Sequence, residues 1–180
     1  MEELRILIIG SSGGGKSTLS KQLAKELQLP VLHLDRIWHA TNYDEEGWQI
    51  LREAQMKFIN ENPAFIIDGN YSVTFDLRIP HANLIIWIKP SKYLALYRVL
   101  TRSIKVRLKL VDRSDMAEEF QEKLDREYFE FLKFVWNFEK NNVPKIEAGI
   151  AERSADCRLV IINNKQDREK LLKELRRDRK

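Results

Sequence analysis

Gly10-Ser11-Ser12-Gly13-Gly14-Gly15-Lys16-Ser17-Thr18, directly after Arg5-Ile6-Leu7-Ile8-Ile9, is the stretch whose reading decides this chain. It satisfies G-x-x-x-x-G-K-[ST] at every fixed position and lies between an apolar, β-branched run and a helix-period run marked by Leu19, Leu23 and Leu27. Glycines at 10, 13, 14 and 15 let the backbone take positive φ and curl around a phosphate with its N–H groups turned inward. Lys16 is then expected to bridge the β- and γ-phosphates of a nucleoside triphosphate, and Ser17 to ligate Mg²⁺. The helix opening there presents its positive end to the same charges. Residues 10–18 are therefore assigned to ATP. Without a ligand, the Lys16 ammonium is expected to face solvent.

Composition bounds what surrounds this loop. A chain of 180 residues, 43% hydrophobic, suits one α/β domain spanning 1–180. Acids precede a short apolar run in MEELRILIIG, and no stretch has the length of a membrane span, so a cytoplasmic protein without a membrane partner is expected. The single Cys157 excludes an internal disulfide and a cysteine-based zinc site. A net charge of +4 suits anionic ligands but is too modest to call for nucleic acid. A monomer or homodimer is expected.

Hydrophobic periodicity predicts alternating strands at 5–9, 31–34, 64–67, 84–88 and 158–162 and helices at 16–27, 46–60, 91–109, 118–140 and 167–179. That alternation implies a five-stranded parallel sheet covered on both faces, with ligands gathering at the carboxyl ends of its strands. Asp68 closes one such run ahead of Gly69, in position to hold hydrated Mg²⁺ opposite Ser17; an ordinary Asp-Gly turn is the plainer alternative. Asp35 is expected to end the second strand, as a base or hydrogen-bond acceptor for the phosphoryl acceptor, or else as a turn cap.

Arg36, Asn70, Tyr71 and Arg78 are expected to join Asp35 in binding the acceptor, Arg78 as a phosphate clamp, within an acceptor segment at about 35–62. Trp38, His39, Tyr43 and Trp48 either wall that pocket or pack the segment down. Core packing is expected for Trp48, Phe129, Phe131, Phe134, Trp136 and Phe138. His33 and His81 carry no metal-ligand spacing and receive no role. Arg98 and Arg102 stand four apart on one predicted helix, and Lys105, Arg107, Lys109 and Arg113 follow. Arg102 and Arg113 are expected to neutralise charge on the transferring phosphoryl group from a helical lid at about 102–122.

With these residues placed, the chain resembles the adenylate-kinase-like branch of small P-loop kinases. AFIIDGNYSV, from Ala64 to Val73, is similar to the GFLLDGFPR strand of that branch, and Arg98-x-x-x-Arg102 to its lid-entry pair, which implies adenine contact for Arg98 and phosphate contact for Arg102. A closer likeness is to the bacterial DNA topology modulation, or FlaR-like, proteins. It rests on His33-Leu34-Asp35, Asp68-Gly69-Asn70-Tyr71, Tyr97-Arg98, Arg113-Ser114-Asp115-Met116 and Trp136-Asn137-Phe138.

The resemblance implies a P-loop NTPase fold, a three-layer α/β/α domain of the nucleoside monophosphate kinase kind, that uses ATP and Mg²⁺ on a small acceptor. Two departures qualify it. Asn70-Tyr71 replaces a Phe-Pro, which argues against AMP, and Ala117-Glu118-Glu119-Phe120 replaces a Gly-Cys-Pro type turn, which implies a shorter or stiffer lid. A nucleotide or nucleoside-like acceptor is expected, with a metabolite hydroxyl as the alternative. A DNA-binding or DNA-topology role is the competing class, for which the chain offers no helix-turn-helix or zinc signature.

Overall fold

The structure, a computed structural model, describes residues 3–108 and 126–177. Strands β1 (Arg5–Gly10), β2 (Val31–His33), β3 (Phe65–Asp68), β4 (Leu84–Ile88) and β5 (Arg158–Ile162) form one parallel sheet in the order β2-β3-β1-β4-β5. Every residue of β3 and β4 is buried, as β-branched strands covered on both faces require. In the register Ile8 lies opposite Asp68 and Gly10 opposite Ile88, so the loop leaving β1 is flanked by the carboxyl ends of β3 and β4.

Alternation along the strands divides the interior into two cores. Ile6, Ile8, Ile66 and Ile86 meet Leu19, Leu23 and Leu27 of α1 (Lys16–Leu27) and Leu171, Leu172 and Leu175 of α7 (Lys165–Arg177). On the other face Leu7, Ile9, Ile67, Ile85 and Trp87 meet α3 (Glu45–Glu61), α4 (Phe75–Arg78) and α6 (Arg126–Ala151) through Leu51, Ile59, Phe75, Phe138 and Ile146. The result is the expected three-layer α/β/α arrangement. Helix α7 is fastened to α1 by Arg176, whose Nε donates to Glu26 Oε2 at 2.8 Å and holds that carboxyl down at about 2.

Several boundaries differ from the sequence reading. β2 stops at His33, and Leu34 already opens a short helix, α2 (Leu34–Trp38). Asp35 therefore stands in a first helical turn instead of ending a strand, and its carbonyl accepts from His39 N at 3.0 Å. Helix α5 spans Lys92–Arg107 and is capped by Ser91, which accepts from Leu94 N at 3.3 Å.

Helix α6 continues past residue 140 and through Pro144 to Ala151. A mid-helix proline costs about 3 kcal/mol, and burying Ile146 and Ile150 returns about 1.5–3 kcal/mol each, so continuation wins. The aromatic run on α6 exceeds the one stripe that a helix can bury. Phe138 is in the core and Phe131 packs on a separate cluster of Ala95, Val99 and Val135, whereas Phe129, Phe134 and Trp136 are exposed, contrary to expectation. The predicted start of this helix at 118, Arg113 and most of the expected lid lie outside the described residues.

Candidate active site

The loop between β1 and α1 is shaped by backbone that only glycine accommodates. Gly10 has φ +131°, and a Cβ there would lie 2.1 Å from the Ile88 carbonyl oxygen of the neighbouring strand. Its N–H donates to Asn70 Oδ1 at 3.3 Å, which straps the start of the loop to the segment after β3. Helix α1 then begins without a side-chain cap bond, so its first N–H groups are left for an anionic ligand. Lys16 does not face solvent. It is only 9% exposed, and its Nζ donates to the Ser11 carbonyl at 3.2 Å inside the loop.

Asp68, at the end of β3, is 4% exposed and lies beside α1. Its Oδ2 accepts from Ser20 Oγ at 3.1 Å and pairs with His33 Nδ1 at 3.0 Å, while Oδ1 is buried with no hydrogen-bond partner. An orphaned carboxylate oxygen costs about 1–3 kcal/mol unless something occupies its lone pairs, which suits a hydrated divalent cation. The unpartnered oxygen of Asp68 and the hydroxyl of Ser17, at the start of α1, thus fit a hydrated Mg²⁺.

His33 was given no role from the sequence. Its place follows from strand order, because β2 pairs with β3 with His33 in register with Asp68. Asp68→Asn is expected to raise the Mg²⁺ concentration needed for half-maximal activity while leaving the melting temperature of the unliganded protein little changed. Magnesium titrations of both proteins check this, and an unchanged requirement with a large loss of stability would return Asp68 to the turn reading.

On the other side of β3, the Tyr71 hydroxyl donates to Asp35 Oδ1 at 2.8 Å. Burial, and then the charge of Asp35, hold the Tyr71 phenol well above its ordinary range, so it stays a donor. Trp38 packs against Trp48 with ring centroids 4.1 Å apart, and both meet Tyr71 edge-on at 6.1 Å. His39 Nδ1 lies 2.9 Å from Tyr43 Oη beside them. The aromatics therefore form one wall next to Asp35, with Trp48 packed into it as expected. Arg36 is exposed on α2.

Arg78 departs from its expected place as a phosphate clamp. It is 0% exposed, and its guanidinium donates to Gln55 Oε1 at 2.8 Å, to the Gly69 carbonyl at 3.0 Å and to Thr74 Oγ1. It also lies over the Phe75 ring, and burial lowers its pKa to about 9. These bonds make it a strut beneath the Gly69-Asn70-Tyr71 turn. Gly69 fits that turn because its φ is +153° and a Cβ would lie 2.7 Å from Leu34 Cβ.

Arg78→Met would leave the buried Gly69 carbonyl without its donor and take one donor each from Gln55 Oε1, which keeps Thr74 Oγ1, and from Thr74 Oγ1, at about 1–3 kcal/mol for each buried bond lost. A loss of about 3 kcal/mol or more is expected, read from urea unfolding. Unchanged stability with a raised KM for the acceptor would restore the clamp.

Arg98, on α5, donates to the Gly14 carbonyl at 3.2 Å, so it touches the outside of the phosphate loop. Arg102 stands one turn further along and is half-buried. Asp35, Asp68, Asn70, Tyr71, Arg98 and the loop thus gather at one end of the sheet.

No family model matches this chain, and no curated protein does. Solved structures do. Shikimate kinase from Bacteroides thetaiotaomicron is similar with a TM-score of 0.55 at 16% identity, over 97% of this chain and 96% of that one. Shikimate kinase from Acinetobacter baumannii, in complex with shikimate, gives 0.54 at 16% identity over 97% and 92%. TT1252 from Thermus thermophilus gives 0.53 at 16% identity over 99% and 98%. Together with the strand order and the glycine loop, these likenesses show that the chain has the P-loop kinase fold.

Proposed function

We propose that this protein transfers the γ-phosphoryl group of ATP to a hydroxyl of a small, nucleoside-like or other metabolite acceptor seated against Asp35 and the Trp38–Trp48–Tyr71 wall. The observation that carries this reading is the place of Asp35. Its carboxylate is oriented by Tyr71 at the end of the sheet that holds the loop, while the arginine expected to receive an acceptor phosphate is enclosed by protein. A carboxylate assists a hydroxyl nucleophile and repels a phosphate one. Transfer to a nucleotide is the second reading, favoured by Arg36, which is exposed next to Asp35.

In the proposed reaction Lys16 leaves the Ser11 carbonyl to bridge the β- and γ-phosphates, and the N–H groups of the loop and of α1 bind their oxygens. Asp35 takes the proton of the attacking hydroxyl. Arg102 and Arg113 neutralise the equatorial oxygens as the group passes in line. Mg²⁺, held through Ser17 and Asp68, would supply charge neutralisation on the same phosphates. The likeness in motifs to the topology modulation proteins supports placing the chain beside them.

An ATP-consumption screen over nucleosides, small polyols and nucleoside monophosphates, read against background hydrolysis, tests the proposal. Stimulation by a hydroxyl acceptor is expected. Stimulation confined to monophosphates would overturn it in favour of the second reading. No stimulation, combined with DNA binding that weakens steeply with salt, would move the protein to the DNA-binding class.

A further inference from the structure

A concavity that Asp35 does not line adjoins the phosphate loop at Ser11. It has a volume of about 330 Å³ and lies between the end of β4, the start of α5 and the middle of α6. That volume is within the range of small-molecule sites. Trp87 and Phe138 supply apolar surface, and Lys89, Lys92 and Glu139 bring charge to its lining. Lys89 Nζ lies 5.0 Å from the Trp87 ring centre and Lys92 Nζ 4.4 Å from that of Trp136. No ion pair joins either lysine or Glu139 to another of the described residues.

Ser11 also lines this space. It is 6% exposed, and its Oγ is buried with no hydrogen-bond partner. A buried hydroxyl without a partner costs about 1–3 kcal/mol, so a ligand group that meets it gains that much in addition to its other contacts. The amino end of α5, just below, adds a positive dipole to the two lysines.

We propose that this cavity is a second small-molecule site, which takes a planar aromatic acid. The ring lies against Phe138 and beside Trp87, and the single anionic group draws Lys89 and Lys92 from their places over Trp87 and Trp136. A polar atom of the ligand bonds the Ser11 hydroxyl, and Glu139 favours a donor on the ligand's far edge. None of the residues assigned to the acceptor lines this space, and of those assigned to ATP only Ser11 does, so the site stands whether or not the transfer reading holds.

Titration calorimetry with indole-3-acetate, benzoate and the neutral indole-3-acetamide, without nucleotide and again with saturating ATP and Mg²⁺, tests it. One molecule of a carboxylate probe is expected to bind per chain, roughly tenfold more tightly than the amide, the ratio expected for one charge-assisted contact. The doubly substituted K89Q/K92Q protein is expected to lose that preference. Val143→Trp, which fills the cavity from α6, is expected to abolish binding while the melting temperature stays near that of the parent. Absence of binding by both carboxylates, or binding that ignores the lysine pair and the filled cavity, would overturn the site.

Discussion

Lys16→Met is expected to lower phosphoryl transfer by about 10²–10³-fold, the scale of losing one preorganised charge at a transferring group. In the unliganded protein the Nζ makes one hydrogen bond, to the Ser11 carbonyl at 3.2 Å, worth about 1 kcal/mol net. The aliphatic stem of methionine fills the same nearly enclosed channel, so folding stability should change by about that amount or less. Charge on the β- and γ-oxygens, by contrast, has no substitute cation at that point of the loop. Single-turnover transfer to the best acceptor of the screen, together with a melting curve, separates the two effects. Normal turnover in folded Lys16→Met would remove the loop from the chemistry.

Asp35→Asn is expected to lower kcat by about 10²–10⁴-fold with little change in acceptor KM, as loss of a general base does. The amide keeps an oxygen for the Tyr71 hydroxyl, now 2.8 Å away, and the aromatic wall does not depend on charge, so the acceptor pocket should keep its shape. Tyr71→Phe gives the complementary measurement. It removes the orienting bond but not the carboxylate, and a smaller loss is expected. If Asp35→Asn instead raised KM with kcat nearly intact, Asp35 would be a binding group and the nucleotide reading would gain.

The sheet could be read from the chain because each of its strands is a short apolar run bounded by turn residues or by a switch to helical period. The runs at 84–88 and 158–162 coincide with β4 and β5 residue for residue, and α1 begins and ends where its leucine spacing predicts. Helix ends were less legible where a strand passes directly into a helix. In Val31–His33 followed by Leu34–Trp38 no glycine or proline marks the change, and the tertiary packing of Leu34 at 0% exposure decides it.

The phosphate loop is the part of the site that the sequence by itself determined. Its chemistry lies in contiguous residues, where glycines permit the backbone turns and a lysine and a serine follow at fixed spacing, so no distant contact is needed to recognise it. What only the tertiary structure decided is how single residues far apart in sequence are used. Strand order sets His33 beside Asp68 and leaves Asp68 Oδ1 without a partner; the turn after β3 brings Tyr71 to Asp35; and the closing of α3 over α4 encloses Arg78 with Gln55 and Thr74. An arginine reads the same in a sequence whether it meets a ligand or a buried carbonyl. The difference is one of burial, which arises from packing between elements and leaves no local mark on the chain.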